Sequence, residues 1–462
     1  MEKVPPKRKI KNSTKEELIS LEKEELIDRI LQLEAHNVQL KNIISKNLSE
    51  AGDNQKNDGH KKFDFSKCHY RKVLLRFLYF GWDYQGLAVQ EDSIQTIEHH
   101  LFNALIKSCL IEDRPSSDYH RCGRTDKGVS AFGQVISIKV RSKHPPPQQN
   151  EPNSLATEMP YCKILNRLLP KDIRAVSWMP IPDDKQDFSA RFDCKKRQYK
   201  YYFPKSSLNI AAMREACSLL IGSHDFRHLC KMDVGNGVTE FRRKIISADI
   251  IPIDDSAEVR SMHALVIEGN AFLWHQIRCI MGVLLLIGEG KEHPRVISEL
   301  LDVETHTSKP QYNMALHIPL NLFKCTYNVD DSCWVYDNNE LRSVIGNLQN
   351  EWTIYSVKST MIKDCIKELE DIYTKQIEKI ENSASDMKES DRCIGVGERE
   401  DMNCDVEERD GSTVQAYTDC LLQGVKPRVY TPLLKREKCS SLEEKIEYYK
   451  KKRKIVDAKN KL

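Results

Sequence analysis

Asp126 is the residue of this sequence best placed to do chemistry. It lies in the run RCGRTDKGVSAFGQV, residues 121–135, between Gly123 and Gly128. Glycine allows positive φ or close approach to a ligand, so this carboxylate is expected on a tightly shaped loop. Three cations accompany it: Arg121, Arg124 and Lys127. Positive charge favours an ionised carboxylate and suits a polyanionic ligand, although a short run of this kind is more often a surface turn with an Asp–Arg pair.

Two more residues stand out for their chemical type in their local pattern. Tyr199 lies in RQYKYYF, residues 197–203, where alternation predicts a strand; a tyrosine there is most often part of a core. Arg278 lies in AFLWHQIRCIMG, residues 271–282, at the head of an apolar helix. A buried arginine needs a carboxylate partner or an anionic ligand. Asp126 is the candidate partner.

Composition argues against several kinds of protein for this chain. The chain has 462 residues and a net charge of +3, so binding of nucleic acid would depend on local patches. Its 15 cysteines include no C-x-x-C pair, which argues against a zinc ribbon or a thioredoxin-like site. The basic start, residues 1–11, does not resemble a signal peptide, so we expect reduced thiols. The apolar run at 277–287 is too short to span a membrane.

The elements that must position these residues form a folded body over 63–330. Apolar periodicity predicts strands at 73–80, 131–140, 173–179, 188–192, 197–203, 239–253, 263–268 and 316–327, and helices at 96–111, 161–169, 210–221, 272–287 and 294–301. Residues 143–158, rich in Pro, Gln and Asn, are predicted to be an exposed loop. Because several neighbouring strands can pair antiparallel, the order favours an α+β fold with a mixed, largely antiparallel sheet flanked by helices, and it is compatible with two βαβ-type halves.

Three segments precede the body. Residues 1–15 are predicted to be a basic disordered tail and 49–62 a linker. Residues 16–48 are predicted to be a helix in which Ile19, Leu26, Leu33 and Leu40 recur every seven residues. This spacing is typical of a coiled coil, with Asn37 at an a position fixing the register. A lone amphipathic helix packed on the body explains the pattern equally well.

Three segments follow the body. Residues 331–384 are predicted to be a helical extension, 385–415 an acidic disordered segment, and 416–462 a C-terminal strap with a basic helix. The helix ends in KKKRK, residues 450–454, which is typical of a nuclear-localisation signal or an RNA-backbone patch. A solvated helix end, where cations suit the helix dipole, is the alternative.

Taken together, these motifs resemble the TruA-type tRNA pseudouridine synthase family. RCGRTDKGVSAFGQV is similar to that family's catalytic-Asp motif, and FSAR (188–191), RQYKYYF and AFLWHQIRCIMG resemble its later motifs in the same order. The resemblance covers about residues 70–328. CKMDVGNGV (230–238) and KPQYNMA (309–315) resemble the eukaryotic branch that acts on tRNA uridines 38 and 39. In the last motif Met314 stands where the family has a pocket-lining leucine.

The resemblance implies a role for each residue. Asp126 is expected to be the catalytic nucleophile of an isomerase that detaches uracil from ribose and reattaches it through carbon 5. Three mechanisms stay open: the carboxylate attacks the sugar, it attacks the base, or it assists glycal formation. Tyr199 is expected to pack on the base, Arg278 to pair with Asp126, and Arg124 to hold the flipped-out nucleotide. Arg121 is expected to contribute to substrate binding. Extrusion of the uridine costs a few kcal/mol.

The resemblance also implies the surroundings of the reaction. It predicts no cofactor and no metal, two RNA-recognition-like halves, and a homodimer that binds the tRNA anticodon stem-loop. We expect the protein in the nucleus and cytoplasm, with no membrane partner. Two alternatives stay open: the same reaction on other RNAs, and an RNA-binding or RNA-folding protein whose catalysis is dispensable.

Overall fold

The computed structural model of the chain describes residues 63–91, 93–149, 151–181, 185, 187–254, 260–391, 418–424 and 429–459. Backbone packing divides the chain into two units, Met1–Asp64 and Phe65–Leu462, and every element given below belongs to the second. The predicted basic tail, coiled-coil helix and linker lie outside the described residues.

A nine-stranded sheet forms the centre of the fold. Its strands are β1 His69–Tyr79, β2 His120–Arg121, β3 Ser130–Ser142, β4 Ile173–Pro180, β5 Cys194–Pro204, β6 Gly222–Asp225, β7 Arg242–Pro252, β8 Met262–Gly269 and β9 Leu320–Tyr327. Their order is β4-β1-β3-β9-β5-β8-β7-β6, with β2 on β3. Every neighbouring pair is antiparallel except β3 and β9. The predicted mixed, largely antiparallel sheet is confirmed.

The parallel pair β3–β9 is short and lies in the middle of the sheet. Only Ser130 and Ala131 pair there, with Asn321 and Leu322. Gly133 makes the close approach possible, because a Cβ on it would lie 2.5 Å from the Phe323 carbonyl oxygen. The sheet therefore consists of two antiparallel groups of strands joined where the Asp126 loop ends.

Helices flank the sheet: α1 Ile97–Lys107, α2 Pro152–Thr157, α3 Tyr161–Asn166, α4 Ile210–Leu219, α5 Gln276–Gly288, α6 Val296–Leu301, α7 Asn338–Asp391 and α8 Leu442–Lys459. Thr96 caps α1 by accepting a hydrogen bond from the His99 amide at 3.3 Å. All residues of α5 are buried, as its nearly uninterrupted apolar sequence predicts. Among the described residues we find no helix with the length and hydropathy needed to cross a membrane.

Local differences from the predicted elements have physical reasons. The loop 143–158 contains α2 and a buried Glu158 that pairs with Arg71 at 3.0 Å, so polar composition misled the prediction. Residues 188–192 form turns instead of a strand, with the Ala190 amide bonded to Ser137 Oγ at 3.1 Å. The helix predicted to start at 272 begins at Gln276, because His275 takes a left-handed φ of 58°.

The C-terminal part returns to the body. Helix α7 continues through residues 385–391, where disorder was predicted; the rest of that segment, 392–415, lies outside the described residues. The described part of the strap, residues 418–424 and 429–441, forms single bridges to the body, Leu422 to Ala315 and Lys438 to Pro310. Buried Leu421 and Leu433 anchor it. The strap therefore lies along residues 310–316, next to the N-terminal end of α5.

Candidate active site

The Asp126 loop joins β2 to β3 and is held by backbone hydrogen bonds on both sides. The Leu87 amide donates to the Thr125 carbonyl at 3.1 Å, and the Gly128 amide donates to the Tyr84 carbonyl at 3.0 Å. Gly128 has a φ of 74°, and a Cβ on it would overlap the His317 imidazole. The loop therefore requires glycine at 128 both for its conformation and for its space.

His275 contacts Asp126. Its Nε2 lies 3.3 Å from Asp126 Oδ2, and the Asp126 side chain is 31% exposed. Burial lowers the pKa of His275 to about 4, with the charges of Arg278, Lys231 and Lys309 acting in the same direction. The imidazole is neutral at pH 7, so this is a polar contact between a neutral ring and the carboxyl group and not an ion pair.

The Asp126 carboxyl is balanced between opposing influences. Burial raises its pKa above the ordinary value, while the charge of Arg278, a hydrogen bond from Trp274 and the charge of Lys231 lower it. The carboxylate is thus partly withdrawn from water and stabilised by cations that do not touch it. Partial desolvation beside fixed positive charge is typical of a reacting carboxylate.

Arg278 lies in the first turn of α5 and is 4% exposed. Its Nε donates to the Ala315 carbonyl at 2.9 Å, and its Nη2 donates to Gln423 Oε1 at 2.7 Å. Arg278 and Asp126 form no ion pair within 4.0 Å, so the predicted direct pairing is wrong for this structure. The arginine acts on the carboxylate through its charge.

Gln423, from the strap, is a site residue that sequence reasoning missed. Its side chain contacts His317 as well as Arg278, with Gln423 Nε2 3.2 Å from His317 Nδ1. The backbone N–H of Gln423 donates a hydrogen bond to the Met314 carbonyl at 3.1 Å. Nothing in the local sequence distinguishes this glutamine. His275 was missed for a different reason: its spacing of three from Arg278 placed it inside the predicted helix.

Tyr199 lies on β5, and 9% of it is exposed. It meets Phe272 edge-on, with ring centroids 5.2 Å apart. Phe272 belongs to the segment that also brings Trp274 and His275 to Asp126. Burial raises the pKa of Tyr199, so its hydroxyl is protonated at neutral pH.

The two arginines of the loop have different surroundings. Arg124 is exposed, and no hydrogen bond or ion pair of its side chain occurs within the described parts of the chain. Arg121 forms an ion pair with the fully buried Glu98, which also pairs with Arg114 at 3.0 Å. Arg121 thus has a structural contact, and its predicted part in substrate binding stays a prediction.

A cluster of three buried thiols lies just before the loop. The Sγ atoms of Cys122, Cys194 and Cys325 lie within 4.8 Å of one another, and Cys122 Sγ donates to Cys325 Sγ at 3.2 Å. Among the described residues the group includes no fourth His, Cys, Asp or Glu ligand. A structural zinc site has four such ligands, so the cluster does not fit one. It packs the base of the loop against β5 and β9.

Comparison with known proteins decides the family. A family model described as tRNA pseudouridine synthase matches residues 216–328. The tRNA pseudouridine(38/39) synthase of Bos taurus is 40% identical over 451 residues, which cover 93% of this chain and 88% of the bovine protein. The chain belongs to the tRNA pseudouridine synthase family. The family resemblance of the sequence motifs is confirmed.

Two other relatives of this synthase match a smaller share of its chain. The tRNA pseudouridine(38/39) synthase of Saccharomyces cerevisiae is 41% identical and covers 66% of the chain and 70% of the yeast protein. The tRNA pseudouridine synthase A of Methanosarcina mazei is 28% identical, and 64% of the chain covers 98% of the archaeal protein. About a third of the synthase therefore has no counterpart in that archaeal relative. Pseudouridine synthases are isomerases, and tRNA is the substrate of this family.

Proposed function

We propose that this synthase isomerises uridine to pseudouridine at positions 38 and 39 of the tRNA anticodon stem-loop, with Asp126 as the nucleophile. The observation that carries the assignment is the Asp126 carboxylate, which is partly exposed at the join of the two halves of the sheet. Neutral His275 and the cations Arg278 and Lys231 surround it. The positions follow from the names of the bovine and yeast relatives, which span most of the chain.

The arrangement matches the needs of the reaction. The bond from ribose C1′ to N1 of uracil breaks and a bond from C1′ to C5 forms, while C5 loses a proton and N1 gains one. Asp126 must be ionised to act as a nucleophile, and the charge of Arg278 favours that form. The neutral His275 ring contacts the carboxylate, with Nε2 3.3 Å from Oδ2. The balance of bonds and protons needs no redox carrier and no phosphate donor.

The target uridine must leave its stack to reach Asp126. We assign Tyr199 to packing against the extruded base, because its ring lies beside Phe272 and its hydroxyl is protonated. We assign Arg124 to holding the flipped nucleotide, because its guanidinium is exposed two residues before Asp126. Unstacking costs a few kcal/mol, which such contacts would offset.

The Asp126→Asn variant tests the assignment. We expect it to form no pseudouridine in an anticodon stem-loop transcript while retaining its affinity for the RNA, since the substitution keeps the shape of the side chain. Transcripts in which uridine 38 or 39 is replaced by cytidine identify the position. Product formation by Asp126→Asn would refute the role of the carboxylate.

We also propose that the synthase acts as a homodimer in the nucleus and cytoplasm. The resemblance to the family supports the dimer, and the run at 450–454 supports nuclear entry. Light scattering of the full chain measures the oligomeric state. Mapping pseudouridines in total RNA with and without the protein separates tRNA from other substrates.

A further inference from the structure

A second concave surface adjoins the site. It is a cleft of about 850 Å³ between the body and the C-terminal strap. Five of the residues that line it are cations: Lys231 and Lys309 from the body, and Lys435, Arg436 and Lys445 from the C-terminal part. Glu437 is the acidic residue of the lining. The cleft therefore carries a strong local excess of positive charge on a chain whose net charge is only +3.

The outer wall of the cleft is fixed to the body. The Gln311 amide donates to the Glu437 carbonyl at 2.9 Å, and the Cys439 amide donates to the Lys309 carbonyl at 2.7 Å. Leu433 is fully buried, and its amide donates to Glu292 Oε1 at 2.6 Å. The cations of the strap are thus held facing those of the body.

The charges in the cleft are not neutralised by carboxylates. Within the ranges that the structure describes, none of the five cations has a carboxylate oxygen within 4.0 Å. Aromatic rings hold some of them instead: Lys231 Nζ lies 4.4 Å from the centre of the Trp274 ring, and Lys309 Nζ lies 4.4 Å from that of Tyr312. Like charges gathered in a concave surface concentrate anions from solution.

The cleft and the catalytic site are linked by Lys231. Lys231 packs on Trp274, the residue that donates a hydrogen bond to Asp126, and its charge lowers the pKa of Asp126. The charge of Lys309 acts on His275. An anionic chain lying in the cleft would therefore reach the reacting carboxylate without leaving the protein surface.

We infer that this cleft binds the sugar–phosphate backbone of the tRNA whose uridine is at Asp126, and that the C-terminal part supplies three of its five cations. The inference rests on the proposed function for its choice of ligand. Cations without a carboxylate partner, interleaved with aromatic rings, are the features that track a nucleic-acid backbone. The C-terminal part thus has two functions: Gln423 of the strap holds Arg278, and the cations of the strap and of the start of α8 bind RNA.

The test is the salt dependence of tRNA binding by the Lys435→Ala/Lys445→Ala double variant of the full chain. Each lost phosphate contact makes the slope of log K against log salt less steep by about 0.7 to 0.9, so the double variant should lose roughly 1.4 to 1.8. The matched control is Lys363→Ala/Lys367→Ala, which removes the same charge from exposed positions of α7. Fluorescence anisotropy of labelled tRNA at several NaCl concentrations gives the slopes. Every protein in this comparison also carries the Asp126→Asn substitution, which prevents turnover during the measurement.

An unchanged slope for the strap variant, or an equal change for the control, would overturn the inference. Its failure is separable from that of the proposed function. If the wild type makes pseudouridine but the strap variant has the same salt-dependence slope as the protein with intact lysines, only the RNA-binding role of the cleft is refuted. If the slope falls as expected but the wild type makes no pseudouridine, the cleft stands and the catalytic assignment fails.

Discussion

Removal of the charge of Arg278 should shift the pH dependence of catalysis. The reaction needs ionised Asp126, so its rate falls as the pH drops through the pKa of that carboxyl. Burial raises this pKa, and Arg278 is the first of the groups that lower it. The Arg278→Met variant should therefore have a higher Asp126 pKa and lose activity at a higher pH than the wild type.

The size of the shift follows from the geometry. An arginine within about 4–6 Å lowers the pKa of an aspartate by roughly 1–3 units. Arg278 forms no ion pair within 4.0 Å of Asp126, and the Asp126 side chain is 31% exposed, so solvent screens the interaction. We therefore expect the acid limb to move to higher pH, by less than the loss of a direct ion pair would give; one pH unit corresponds to about 1.4 kcal/mol.

The assay is single-turnover pseudouridine formation in an anticodon stem-loop, measured from acidic to neutral pH with enzyme in excess. Arg278→Lys is the matched control, because it keeps the charge but not the planar fork that bonds Ala315 and Gln423. It should lose rate without moving the acid limb. Thermal unfolding must accompany both, since an unpaired Ala315 carbonyl costs about 1–3 kcal/mol. An acid limb of Arg278→Met at or below the wild-type pH would refute the electrostatic role.

Three further outcomes are expected. Gln423→Leu should lower the single-turnover rate about tenfold or more, because a hydrogen bond to charged Arg278 contributes about 1.5–3 kcal/mol; Gln423→Glu, which keeps an acceptor, should lose less. Gly128→Ala should lower the melting temperature more than Gly237→Ala: both have positive φ and incur about 1–2 kcal/mol of strain, but a Cβ on Gly237 meets nothing within 4 Å. Glu158→Gln should flatten the pH dependence of urea unfolding below about pH 4.5. Burial raises the pKa of Glu158, but the hydrogen bonds that it accepts outweigh burial and hold this pKa below 4.5; the stability it contributes is therefore present above pH 4.5 and lost as the pH falls through the folded-state pKa.

Local sequence patterns accounted for much of the fold. Alternation at β5 and the apolar runs of β1, β3 and α5 identified those elements, because each must bury one face or its whole surface. Composition gave a wrong prediction of burial where polar side chains form their hydrogen bonds inside the protein. Glu158 looked like part of a solvated loop, yet its carboxylate accepts hydrogen bonds from Arg71 and Ser142 inside the protein.

The strap shows the same limit on a larger scale. Its sequence predicted an ordered strap, but where the strap packs is known only from the structure, which buries Leu421 and Leu433. Hydrogen bonds from its backbone to residues 309–316 then place Gln423 against Arg278. Such contacts between distant segments leave no periodic pattern in the sequence, so a single sequence cannot predict them.

The sequence by itself determined which residues could react. Glycines at 123 and 128 and the cations of 121–127 marked Asp126, and the motifs identified the family. Only the tertiary structure decided what touches the carboxylate: His275 contacts it, while Arg278 is turned to Ala315 and Gln423. The reason is physical. Residue type and spacing dictate local backbone geometry and burial, whereas the partner of a side chain depends on atoms brought within about 3 Å by distant segments, 145 residues apart for Arg278 and Gln423.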